Sequence, residues 1–145
     1  MYPGRPQKIV ATIEARMTST RLPGKVMLPL EGKPVLQWVI ERLQTSHYLD
    51  EVVVATTTND TDDVLVQLAQ KCRVSYFRGS EEDVLGRVLG AARSVRGDLI
   101  VEITSDCPML LGSGLVDRGL ELFFEKKVDY LGNQRTNFPI GFTIE

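Results

Sequence analysis

Ile9-Val10-Ala11-Thr12-Ile13, with Ala15-Arg16-Met17-Thr18-Ser19-Thr20-Arg21-Leu22-Pro23-Gly24-Lys25 close behind it, is the stretch from which the fold is read. The β-branched apolar run predicts a buried strand, and open α/β sheets hold their ligands just beyond the carboxyl ends of such strands. The loop that follows carries three cations with hydroxyls among them. Arg16, Arg21 and Lys25 offer fork and point-charge donors to phosphate oxygens, and Ser19 and Thr20 add hydroxyls. Gly24 lets the backbone approach a ligand closely, and Pro23 stiffens the turn. The pattern predicts a polyphosphate-binding loop; the plainer alternative is a solvated basic loop. It is not a Walker A motif, because Val26 follows Gly24-Lys25, and no G-x-G-x-x-G dinucleotide fingerprint occurs in the chain.

Outward from this loop, helical and strand patterns alternate, which predicts βαβ units and a mainly parallel sheet. Pro34 opens a helix whose apolar face is Val35, Leu36, Val39, Ile40 and Leu43, with Trp38 beside it as a core or interface residue. Val52 to Thr56 reads as a strand buried on both faces, followed by a loop from Thr57 to Asp60. Thr61 or Asp60 caps the next helix, which carries Val64, Leu65, Leu68 and Ala69, while Asp62 and Asp63 read as acids at its positive end rather than metal ligands. Val74 to Phe77 is a strand leading into Arg78-Gly79-Ser80-Glu81-Glu82-Asp83, where Ser80 and Asp83 have capping-box spacing before a helix through Val84, Leu85, Val88, Leu89 and Ala92. A strand from Leu99 to Ile103, a helix through Leu115, Val116, Leu120, Phe123 and Phe124, and a strand from Val128 to Leu131 complete the pattern. The expectation is a three-layer α/β fold over residues 8–145 behind a flexible tail at 1–7. The alternating end Phe142-Thr143-Ile144-Glu145 reads as a strand in progress, so the chain is expected to stop inside a longer protein.

Composition narrows the function classes. With 145 residues, 43% of them hydrophobic, the chain can bury one substantial core. Seventeen Lys and Arg against nineteen Asp and Glu leave a net charge of −2, without the basic excess of a nucleic-acid binder, so the clustered cations serve a local anion. Cys72 and Cys107 are too few for a disulfide framework and the single His excludes a His-rich metal cluster, which makes a reducing cytoplasm the default location. No apolar run approaches the roughly 20 residues that span a bilayer, and the first residues lack a signal core.

A second constellation follows the strand at Leu99 to Ile103: Thr104-Ser105-Asp106-Cys107-Pro108. A carboxylate there suits magnesium, which needs one or two protein oxygens and fills its octahedron with water and phosphate; the alternative is a cap on the following helix. Taken together, Arg16 to Lys25, Arg78 to Leu85 and Thr104 to Pro108 resemble the spore-coat polysaccharide biosynthesis cytidylyltransferase family, allied to CMP-sialic acid and CMP-KDO synthetases. The similarity runs from Lys8 to Glu145.

That resemblance implies a glycosyltransferase-A-like nucleotidyltransferase in which CTP and Mg2+ activate a sugar acceptor, with pyrophosphate leaving, and it implies a homodimer. By similarity Arg16, Arg21 and Lys25 hold the triphosphate; Ala15, Ser19, Arg78, Gly79 and Ser80 line the nucleotide pocket; Asp106 binds magnesium. Arg87 faces the cytosine or ribose, or else solvent. Asn133 and Arg135, with Phe138 and Pro139, match the region before the sugar site. Two positions depart from the family pattern: Ser105 replaces a common Gly, and Thr143 replaces the first acid of Gly-x-Asp-x-Glu, leaving Glu145 as the second metal-ligand candidate. Three rivals stay open: an enzyme of this fold using another nucleotide, a nucleotide-binding module without turnover, and a truncated fragment exposing a sheet or dimer surface.

Overall fold

In a computed structural model, which describes residues 8–109 and 112–132, four parallel strands form one sheet in the order β5-β4-β1-β6. These are β1 (Ile9–Glu14), β4 (Glu51–Thr57), β5 (Ser75–Gly79) and β6 (Leu99–Thr104); β2 (Pro29–Leu30) and β3 (Lys33–Pro34) make a separate antiparallel hairpin. Four α-helices accompany them: α1 (Val35–Leu43), α2 (Asp63–Lys71), α3 (Val84–Ser94) and α4 (Asp117–Lys126), the last entered through a π-helical turn at Gly112–Val116.

The strands are apolar on both faces because helices cover both. Along β1, Ile9, Ala11 and Ile13 join Val52 and Val54 in the larger core, closed by Leu36, Val39, Ile40 and Leu43 of α1, Leu65 and Leu68 of α2 and Leu120 of α4. The alternate residues Val10, Val53 and Ala55 face α3 through Ala91, with Phe77 and Val95 packed against them. Three layers result, as the sequence pattern predicts. The α3 layer lies close: a Cβ on Gly90 would stand 2.6 Å from the Phe77 ring.

Two expectations are corrected. Residues 128–131 are not a strand: the chain leaves α4 through Lys127 in the left-handed region (φ 55°), and Asp129, Tyr130 and Leu131 border an apolar groove between β6 and α4 instead of pairing. Neither Thr61 nor Asp60 caps α2, whose N-cap position is Asp62, reached through a 3-10 turn at Asp60–Asp62.

Candidate active site

From β1 the chain steps outward to β4 and β5, then returns to place β6 on the other side of β1. The sheet therefore has its topological switch point between β1 and β6, where the loops leaving two adjacent strands diverge and open a crevice. A cleft of about 780 Å3, its open mouth included, occupies this place. Glu14 lines it from β1, Ala15, Arg16, Ser19, Thr20, Arg21 and Lys25 from the loop beyond, Val84 and Arg87 from α3, Thr104 from the end of β6, and Ser105 and Asp106 from the turn after it.

The cationic loop is held in shape by its own backbone. Gly24 N–H donates to the Met17 carbonyl at 2.8 Å, which closes the loop, and Gly24 adopts φ 70°, a conformation glycine reaches without steric penalty. Buried Val26 anchors its far end. Beneath the near end lies Asp62, fully buried. Its Oδ1 accepts from the Met17 backbone N–H at 2.8 Å, and its Oδ2 accepts from Thr56 Oγ1 at 3.0 Å, Thr57 Oγ1 at 2.5 Å and Thr57 N–H at 3.2 Å. Burial pushes this carboxyl up, but the Thr57, Met17 and Thr56 donors outweigh it and hold the group below the usual carboxylate range. The side chain makes no capping bond to α2. It is a tether between the loop and the sheet, not the helix-end acid that its position in sequence suggests.

Charges in the cleft are already paired across it. Lys25 Nζ forms an ion pair with Asp106 Oδ2. Burial raises the Asp106 carboxyl, yet the Lys25 hydrogen bond and charge, with the Thr104 hydroxyl, bring it below its ordinary value, so it is an anion at neutral pH. Arg16 Nη1 donates to Glu81 Oε1 at 3.1 Å, Thr18 Oγ1 donates to the same oxygen, and Asn59 Nδ2 donates to Oε2 at 2.7 Å. Glu81 thus latches the cationic loop to the β5–α3 connection. Arg21 is exposed and has no ion pair among the described residues, which leaves it open to an incoming anion.

Arg16, Ala15, Ser19, Arg21, Lys25, Arg87 and Asp106 are therefore brought together. Arg78, Gly79 and Ser80 are not among the lining residues. Arg78 donates through Nε to the Thr57 carbonyl at 2.8 Å, through Nη2 to the Asn59 carbonyl at 2.7 Å and through Nη1 to Asp63 Oδ1 at 2.6 Å, bracing the β4–α2 loop. Gly79 leaves room for Arg87, whose Cγ would lie 3.1 Å from a Cβ there. Ser80 Oγ accepts from the Glu82 and Asp83 N–H groups, while Asp83 is the cap of α3, accepting from Gly86 N–H at 2.8 Å.

Arg87 does not face solvent: it is 3% exposed and donates through Nη1 to the Ser80 carbonyl at 2.5 Å and the Glu81 carbonyl at 3.3 Å. Asn133, Arg135, Thr143 and Glu145 lie outside the described residues. Sequence reasoning missed Asp62, Glu81 and Glu14. Only Glu81 carried a signal, an acid inside a motif already singled out.

A family described as Cytidylyltransferase matches residues 10–138 of the chain. The spore coat polysaccharide biosynthesis protein SpsF of Bacillus subtilis is 36% identical over 141 residues, covering 94% of this chain and 58% of that protein. Among solved structures, a cytidylyltransferase from Leptospira borgpetersenii aligns with a TM-score of 0.89 at 39% identity, over 94% of this chain and 58% of that one. A CMP:2-keto-3-deoxy-manno-octonic acid synthetase complexed with CTP aligns with a TM-score of 0.71 at 28% identity, over 84% and 49% respectively. The chain spans about half to three fifths of the length of these relatives.

Proposed function

Because this chain belongs to the cytidylyltransferase family, we propose that its switch-point cleft binds CTP with magnesium and transfers CMP to a sugar acceptor in surface polysaccharide or glycoconjugate biosynthesis. One observation carries this reading: exposed Arg21, the Lys25–Asp106 pair and the β1 terminus meet in one cleft at the place where such sheets bind ligands. Arg21 and Lys25 hold triphosphate oxygens, and Arg16, braced by Glu81, is positioned to join them. An acceptor hydroxyl attacks the α-phosphorus, the bond to the bridging oxygen of the β-phosphate breaks, and pyrophosphate leaves. Such chemistry depends on positioning and charge neutralisation more than on covalent help from the protein.

Asp106 fits magnesium. It is an ionised, hard oxygen donor at a strand end beside the phosphate loop, and among the described residues no larger acidic or His/Cys cluster competes with it. When bound, the ion would neutralise charge on the phosphate oxygens. Cys72 and Cys107 are free thiols, which suits a reducing cytoplasm, and no helix among the described residues is long and apolar enough to cross a membrane.

The test is pyrophosphate release from CTP and magnesium across a panel of acidic and modified sugars. We expect release with at least one sugar, and a loss of about tenfold or more in CTP affinity for Arg21→Ala, the equivalent of one charge-assisted contact. CTP binding without release from any sugar would favour the nucleotide-binding module, and tighter binding of a different nucleotide would favour a different nucleotidyltransferase.

A further inference from the structure

We propose that Glu14 reads the base of the bound nucleotide, selecting cytosine over uracil; the proposal rests on the CTP-binding reading above. Along β1, Ile9, Ala11 and Ile13 pack into the larger core and Val10 packs towards α3, so strand alternation puts Glu14 on the α3 side. It ends β1, in register with Ala55 on one side and Thr104 on the other, and its half-buried side chain lines the cleft that Val84 and Arg87 also line.

The Glu14 side chain has neither a hydrogen bond nor an ion pair among the described residues, although cations surround the same cleft. A carboxylate drawn partly out of water without a partner is costly, and beside a triphosphate it is repulsive, so its ligand is a hydrogen-bond donor on an uncharged part of the nucleotide. Position says which part. Lys25 is tied to Asp106 beyond β6, and to that pair we assign the phosphates; Glu14 shares the cleft with Val84 and Arg87 of α3, and to these we assign the base.

There Arg87 is held by the Ser80 and Glu81 carbonyls through Nη1, and its buried Nε has no partner among the described residues, which marks the guanidinium as a fixed donor group. Val84 offers an apolar surface to a ring. An acceptor opposite a donor matches cytosine, whose 4-amino group donates and whose N3 and O2 accept. Uracil would set its O4 against the Glu14 carboxylate and its N3–H against Arg87.

Calorimetric titration of the whole chain with magnesium-CTP, magnesium-UTP and pyrophosphate, applied to the parent, Glu14→Gln and Glu14→Ala, tests this, with thermal midpoints reporting that the variants fold. The parent should prefer CTP by about tenfold or more. Glu14→Gln, whose amide can also donate to O4, should cut that preference to about threefold or less. Glu14→Ala should lose CTP affinity, and both variants should keep the parent's affinity for pyrophosphate. A parent-like CTP:UTP ratio in both variants, with CTP still bound, would overturn the role of Glu14 alone. Parallel loss of pyrophosphate affinity would also overturn it, placing the carboxylate at the phosphate or metal. Failure of the parent to bind CTP would overturn the functional reading beneath it.

Discussion

Forty-five positions separate Met17 from Asp62, and one buried hydrogen bond joins them. Its consequence is that a residue with no contact to the cleft sets the height of the phosphate loop above the sheet. Asp62→Asn can no longer accept from both sides, because one of its two former acceptor oxygens becomes an amide that confronts the Met17 N–H or the Thr56 and Thr57 donors. We expect a loss of about 1 to 3 kcal/mol in urea unfolding, with weaker CTP binding under conditions where the variant is folded. Unchanged CTP affinity would mean that the tether is purely structural. Such residues are hard to read in sequence: Asp62 sits where acids cap helices, and only the fold reveals its donors. Arg87 carries a legible signal, since it stands one residue before Val88 and four before Ala91 on the stripe that α3 buries, an expensive place for a cation without a role.

At the level of elements, hydrophobic period sufficed for all four strands of the parallel sheet and all four helices, with boundaries displaced by a residue or two. It did not find the β2–β3 hairpin, whose strands have two residues each and whose turn rests on Glu31 and Gly32, both at positive φ. It wrongly made a strand of residues 128–131, because a short β-prone pattern is compatible with a strand but does not show that a partner strand exists. Helix α3 also illustrates packing overriding propensity. Gly90→Ala should gain about 1 kcal/mol by helix propensity alone, but the new Cβ would meet the Phe77 ring at 2.6 Å. We predict net destabilisation of about 1 to 3 kcal/mol in urea titration; a more stable variant would contradict the close α3–β5 contact.

Across the whole molecule, the switch point explains why motifs separated by some 80 residues meet: Lys25 and Asp106 leave adjacent parallel strands at the same end. The sequence showed the two loops, and the strand order supplied their proximity. Ionised carboxylates also knit distant parts together. Burial raises Asp62 and Asp117, but the hydrogen bonds outweigh it, for Asp117 those from Ser46 and His47, so both have depressed folded pKa values. Their contribution is fully present above the unfolded value near about 4 and is lost as pH falls through the depressed value. The thermal midpoint should therefore drop below that pH, and Asp117→Asn should flatten the fall; an unaltered profile would remove Asp117 from the account.

The central claim, that Asp106 answers to magnesium and Lys25 to phosphate in one cleft, implies an exchange of partners on binding. Calorimetric titration of CTP with and without magnesium into the parent and Asp106→Asn tests it most directly. The account predicts that magnesium tightens CTP binding to the parent, that it gives Asp106→Asn no such gain, and that without magnesium the variant binds CTP at least as well as the parent because its Lys25 is already free. A variant that gains from magnesium as the parent does would place the metal elsewhere and contradict the assignment.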